Sequence, residues 1–152
     1  MIGVFIHHPT PFLAEFFEDL ARLAYPKAKI SVLIHNLIEL HEKEVQDFVD
    51  GHAAVYSMLS ILPKQTEEWR IRAYLIEKCL ELNGQYYLSL DSDARLTNDQ
   101  ALISLIEQNR NIVAPLLNIP DKLWSNFWGS LSNEGYYARS HDYVDILKGN
   151  RR

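Results

Sequence analysis

Two carboxylates one residue apart, Asp91-Ser92-Asp93, follow directly on an apolar run that reads as a strand. In an open α/β sheet the C-terminal strand edge is where ligands bind. Two hard oxygen donors there could hold Mg²⁺ or Mn²⁺, and the ion could neutralise a diphosphate leaving group. The spacing admits a second reading, in which Asp93 hydrogen-bonds the turn that leads to Arg95. His7-His8 ends the first predicted strand on the same edge, and His35 ends the second. These imidazoles could meet a base or a phosphate, but a satisfied polar end to a buried strand is the preferred reading. His41 and His52 read as exposed helix residues, and no spacing supplies the three or four convergent ligands of a zinc site. Cys79 is the only cysteine; it lies among apolar neighbours and reads as a buried free thiol. There is no Gly-rich phosphate loop and no Gly-x-Ser-x-Gly elbow. Trp124, Phe127, Trp128, Tyr136 and Tyr137 crowd one short span. Carbohydrate stacking is their functional reading. The favoured one is a second core patch or a surface packed on a neighbouring domain, since five exposed large aromatics would form a sizeable apolar patch.

The elements that must position these groups alternate. Strands are predicted at Ile2 to His7, Lys29 to His35, Ala54 to Leu62, Tyr86 to Leu90 and Asn111 to Leu117. Between them lie helices. Thr10 with Pro11 opens the first, whose Phe12, Leu13, Phe16, Phe17, Leu20 and Leu23 form an apolar stripe with Glu15, Glu18, Asp19 and Arg22 outside. A polar helix runs from about Leu40 to Val49. Thr66 caps a long helix whose Trp69, Ala73, Ile76, Cys79 and Leu80 face the core, and Asn83-Gly84 ends it. Thr97 and Gln100 form a capping box for a helix through about Glu107. Ser140 caps a last helix through Leu147, with Gly149 after it. The order predicts one α/β layer domain, a mostly parallel sheet with helices on both faces and right-handed crossovers.

The composition fits a soluble globular chain of 152 residues, 47% hydrophobic and 23% charged. A net charge of -5 with scattered basic residues argues against nucleic acid or anionic membrane as a partner. No apolar run approaches membrane-spanning length and no secretory signal is visible.

The segments Trp124-Ser125-Asn126-Phe127-Trp128-Gly129, Gly135-Tyr136-Tyr137-Ala138-Arg139-Ser140 and Asp142-Tyr143-Val144-Asp145-Ile146 closely resemble the procollagen lysyl hydroxylases. So do Leu105 to Asn109, Ile112 to Leu116, Pro9 to Phe12 and Ile34-His35-Asn36, so that the likeness runs from about Gly3 to Arg151. The resemblance implies a modular parent: a glycosyltransferase-like domain, a related accessory domain, and a dioxygenase domain that hydroxylates collagen lysines with Fe²⁺, 2-oxoglutarate and ascorbate. Residues 1–152 then correspond to part of the accessory domain, nucleotide-sugar-transferase-like (GT-A or Rossmann-like) and C-terminally truncated. In isolation such a piece is expected to be marginally stable or sticky.

The resemblance further implies a non-catalytic structural or docking role, with no cofactor of its own. Its partners would be the remaining domains and, through them, procollagen, in the endoplasmic reticulum lumen. The iron site of such enzymes needs His-x-Asp, whereas His141 and Asp142 are adjacent and no other histidine has an acid two residues on. Asp91 and Asp93 are similar to the family's metal motif. The alternative is therefore a UDP-sugar-dependent collagen hydroxylysine glycosyltransferase in which Asp91 and Asp93 bind Mn²⁺. The resemblance also implies a second cysteine six residues after Cys79, where this chain has Gln85.

Overall fold

A computed structural model describes residues 1–65, 67–119 and 122–150. Its contacts divide the chain into two compact units, Met1–Asn109 and Arg110–Arg152.

The first unit is the α/β layer structure expected from the alternation. In chain order it contains β1 (Ile2–Ile6), α1 (Leu13–Arg22), β2 (Ser31–Asn36), α2 (Glu42–His52), β3 (Met58–Ile61), α3 (Glu68–Glu81), β4 (Leu88–Asp91) and α4 (Ala101–Glu107). The strands form one parallel sheet in the order β3-β2-β1-β4. The chain thus moves outward from β1 to β3, then returns to place β4 on the far side of β1. The crevice between the C-terminal ends of β1 and β4 is the topological switch point of this sheet.

Strand pleating divides the core. Ile2, Val4 and Ile6 of β1, with Val32 and Ile34 of β2 and Leu90 of β4, face α1 and α2. Phe17 of α1 stacks on Phe48 of α2 with ring centroids 4.3 Å apart. On the opposite face Phe5 and Leu33 pack against Ile71 and Leu75 of α3. Gly3 lies on this second face because nothing larger fits: a Cβ there would stand 2.7 Å from the Tyr87 hydroxyl and 2.8 Å from Leu75 Cδ1. Cys79 is buried and free, as expected. Asn83, at φ 54°, supplies the left-handed residue after α3.

Several expectations need correction. α3 turns Ile71, Leu75 and Cys79 inward, whereas Trp69, Ile76 and Leu80 are exposed. Both sets have helical spacing, and sequence periodicity cannot choose between two apolar stripes on one helix. Asp19 is buried between Arg22 and Arg95, rather than outside. Thr10 and Thr97 make no side-chain cap. The Thr10 hydroxyl is used elsewhere, and Asn98 Oδ1 accepts the Gln100 N–H instead. The expected cap at Thr66 lies outside the described residues.

The second unit holds a hairpin of β5 (Gly129–Leu131) and β6 (Tyr137–Arg139), then α5 (Tyr143–Leu147). The strand expected at 111–117 does not form. Asn126 bonds the end of this segment instead: its side chain accepts the Leu117 N–H and donates to the Pro115 carbonyl, and its own N–H donates to the Leu117 carbonyl. Ser140 makes no cap for α5, and Gly149 follows that helix at φ 73°. The five clustered aromatics do not build a second core. Trp124, Phe127, Trp128, Tyr136 and Tyr137 are all exposed. The buried centre of this unit is Ser125, whose hydroxyl lies 3.1 Å from that of Tyr143.

The two faces of α3 make separable predictions. Leu75→Ala is expected to cost about 2–5 kcal/mol of stability, and Leu80→Ala to stay within about 0.5 kcal/mol. Urea unfolding of both variants would test this, and equal losses would contradict the helix orientation.

Candidate functional site

The switch point brings together groups from three elements. A cleft of about 180 Å³ is lined by Phe5, His7, His8, Glu68, Arg72, Asp91, Ser92 and Asp93. β1 delivers the histidines and β4 the acidic turn. α3 runs back against the strands, which puts its first two turns at their C-terminal ends.

The turn is fixed through its middle residue. Ser92 is buried, its N–H donates to the Phe5 carbonyl, and its hydroxyl lies 2.7 Å from that of Thr10. The Ala94 N–H closes the turn onto the Asp91 carbonyl. Arg95 then reaches the buried Asp19 of α1 at 2.8 Å. With Ser92 held inward, Asp91 and Asp93 on either side of it are exposed to solvent.

Asp91 is nevertheless engaged. Arg72 donates to Asp91 Oδ1 at 2.6 Å, to Glu68 Oε1 at 2.8 Å and to Ser89 Oγ at 3.0 Å. Its guanidinium lies over the Phe5 ring, 4.1 Å from the centroid. Three acceptors and an aromatic face hold this planar cation in one position. The hydrogen bond from Arg72 holds the Glu68 carboxyl below its ordinary range. A divalent cation fits this arrangement poorly. It would have to share Asp91 with a guanidinium, and among the described residues no three His, Cys, Asp or Glu side chains converge as a ligand set. Glu68 reads in sequence only as a first-turn acid, and Arg72 carries no motif. Their Glu-x-x-x-Arg spacing at the start of a helix after a parallel strand is the signal that could have found them.

The histidines form a directional chain. The Gln65 N–H donates to His35 Nε2 at 3.1 Å, so neutral His35 carries its proton on Nδ1. That proton faces His7 Nε2 at 2.8 Å. His7 then carries its own proton on Nδ1, 3.8 Å from Glu68 Oε2. His35 is fully buried, as a satisfied polar end to a strand should be. Burial, reinforced by His7, lowers its pKa from 6.5 to about 4. Burial also lowers that of His7, against the opposing pull of Glu68. His41, expected to be exposed, is buried. It accepts the Thr10 N–H at Nε2 (2.9 Å) and meets Glu44 through Nδ1 (2.6 Å), tying the loop after β1 to α2.

The His35 environment sets a pH dependence. Between pH 6.5 and about 4 the unfolded chain binds a proton at this position that the folded chain refuses. Stability must therefore fall as pH drops through that window. Urea midpoints at pH 7 and pH 4.5 are expected to show this fall, and His35→Gln, which keeps an acceptor for the Gln65 N–H, to reduce it. An unchanged pH dependence in the variant would contradict the assignment.

Comparison with known proteins places the chain in a family. The model of the glycosyltransferase family 25, N-terminal domain, matches residues 64–152, a stretch that includes α3, β4 and the acidic turn. Procollagen-lysine,2-oxoglutarate 5-dioxygenase 1 of Gallus gallus is 44% identical over 154 residues, and procollagen-lysine,2-oxoglutarate 5-dioxygenase 2 of Homo sapiens is 46% identical over 158. Each alignment covers 99% of this chain and 21% of the relative, so the chain spans about a fifth of the length of the curated relatives it matches. The crystal structure of S. aureus TarS aligns with 98% of this chain and 29% of its own at 16% identity, with a TM-score of 0.48. The chain belongs to the glycosyltransferase family 25 N-terminal domain family, and its similarity to the procollagen-lysine 5-dioxygenases extends over nearly all of its length.

Proposed function

We propose that this chain is a non-catalytic structural and docking module of a longer collagen-modifying polypeptide. The observation that carries the reading is the bond from Arg72 to Asp91. The acidic turn has the position of a metal motif, yet its first carboxylate already has a cation of the protein's own. Ser92 and Arg95 tie the same turn to the loop after β1 and to α1, which gives it a structural use. The parent would be a procollagen lysyl hydroxylase whose separate dioxygenase domain uses Fe²⁺, 2-oxoglutarate and ascorbate on collagen lysines in the endoplasmic reticulum lumen. No residue of this chain is assigned to that chemistry. Among the described residues no helix is long and apolar enough to cross a membrane.

A second reading keeps the turn functional. A UDP-sugar-dependent transferase acting on collagen hydroxylysine would use Asp91 and Asp93 for Mn²⁺. The cleft at the switch point favours it, because that crevice is where α/β sheets bind ligands. Calorimetric titration of UDP with Mn²⁺, into this chain and into a variant carrying Asp91→Ala and Asp93→Ala, separates the two. The structural reading expects no saturable heat from either folded protein. Saturable binding abolished in the double variant would overturn it in favour of the transferase.

A further inference from the structure

α3 is apolar on two faces, and the sheet uses one. Ile71, Leu75 and Cys79 enter the core. Trp69, Ala73, Ile76 and Leu80 follow one another at spacings of four, three and four, which aligns them on a second stripe. This stripe meets solvent: Trp69 is 65% exposed, Ile76 51% and Leu80 70%. Contiguous exposed apolar surface of this kind marks an interaction site.

The groups bordering the stripe restrict the partner. Arg70 is paired with Glu67, Arg72 with Glu68 and Asp91, and Lys78 with Glu81. Every basic side chain of α3 is thus already neutralised. An amphipathic helix that binds an anionic membrane needs free Lys and Arg beside its apolar face, and a nucleic-acid surface needs them more. The complement of this stripe is an uncharged, apolar protein surface. The length of the relatives argues for its source. The segment homologous to this chain makes up 21% of those polypeptides, so the other four-fifths is tethered to it at high effective concentration. A second copy has no such advantage.

We propose that the Trp69, Ile76 and Leu80 face of α3 docks against an apolar surface of another domain of the same longer polypeptide. This rests on the reading of the chain as one module of such a polypeptide, and it names the surface that the docking uses.

Photo-cross-linking tests it in the longest native polypeptide that carries this sequence. A p-benzoylphenylalanine is introduced in place of Ile76, with Glu77, on the adjoining charged face, as the comparison position. The expected result is an intramolecular cross-link from the Ile76 position to residues outside 1–152, in several-fold higher yield than from the Glu77 position. Cross-linked dimers would assign the stripe to self-association and overturn the proposal. So would a folded, fully labelled protein that gives no cross-link above the comparison. UDP binding at the acidic turn would overturn the non-catalytic reading without altering the cross-link, so the two failures are distinguishable.

Discussion

One guanidinium joins the parts of this site. Arg72 projects from α3 across the edge of the sheet, lies on Phe5 of β1 and bonds Ser89 and Asp91 of β4. Helix, central strand and acidic turn therefore share one cation. Removing it would leave Glu68, Asp91 and Asp93 lining the same cleft without a positive partner, and like charges at close range repel. Within the cleft this arginine supplies the positive charge that Asp91 faces.

The rest of that edge is held by buried polar groups that satisfy one another. Ser92 meets Thr10, Thr10 meets His41, and His41 meets Glu44. His35 bridges Gln65 and His7. Asp19 is clamped by Arg22 and Arg95. An unpaired buried donor or acceptor costs about 1–3 kcal/mol, so each bond fixes the loop on which it sits. These bonds lie on the β1 and β4 side of the cleft, while His8 and Asp93 are exposed to solvent.

Much of the first unit was legible in the sequence. The runs expected as strands at Ile2 to His7 and Lys29 to His35 form β1 and β2, and the apolar spacing from Phe12 to Leu23 forms α1. The order of those elements led to a parallel sheet with helices on both faces. Asp91-Ser92-Asp93 was legible as a turn at the strand edge, because it follows an apolar run. What one dimension could not convey was pairing across distance. Nothing local in the sequence links Arg72 to a residue nineteen positions on, or Asp19 to Arg95. The orientation of α3 was hidden for a different reason, since both of its stripes satisfy helical periodicity. The segment 111–117 has strand-forming residues, yet at Pro115 and Leu117 its backbone bonds the Asn126 side chain rather than a sheet. Propensity gave way there to a side chain that competes for the backbone.

On the proposed structural reading, Arg72 rather than a divalent ion is the cation of the acidic turn. Addition of Mn²⁺ to the ¹⁵N-labelled protein tests it directly, because the paramagnetic ion broadens nearby amide signals. The expected result is weak, non-saturating broadening spread over exposed acidic residues, with no preference for Ser92 and Asp93. Saturable broadening centred on the amides of Asp91 to Ala94, with release of the Arg72 side-chain N–H from its hydrogen bonds, would contradict it.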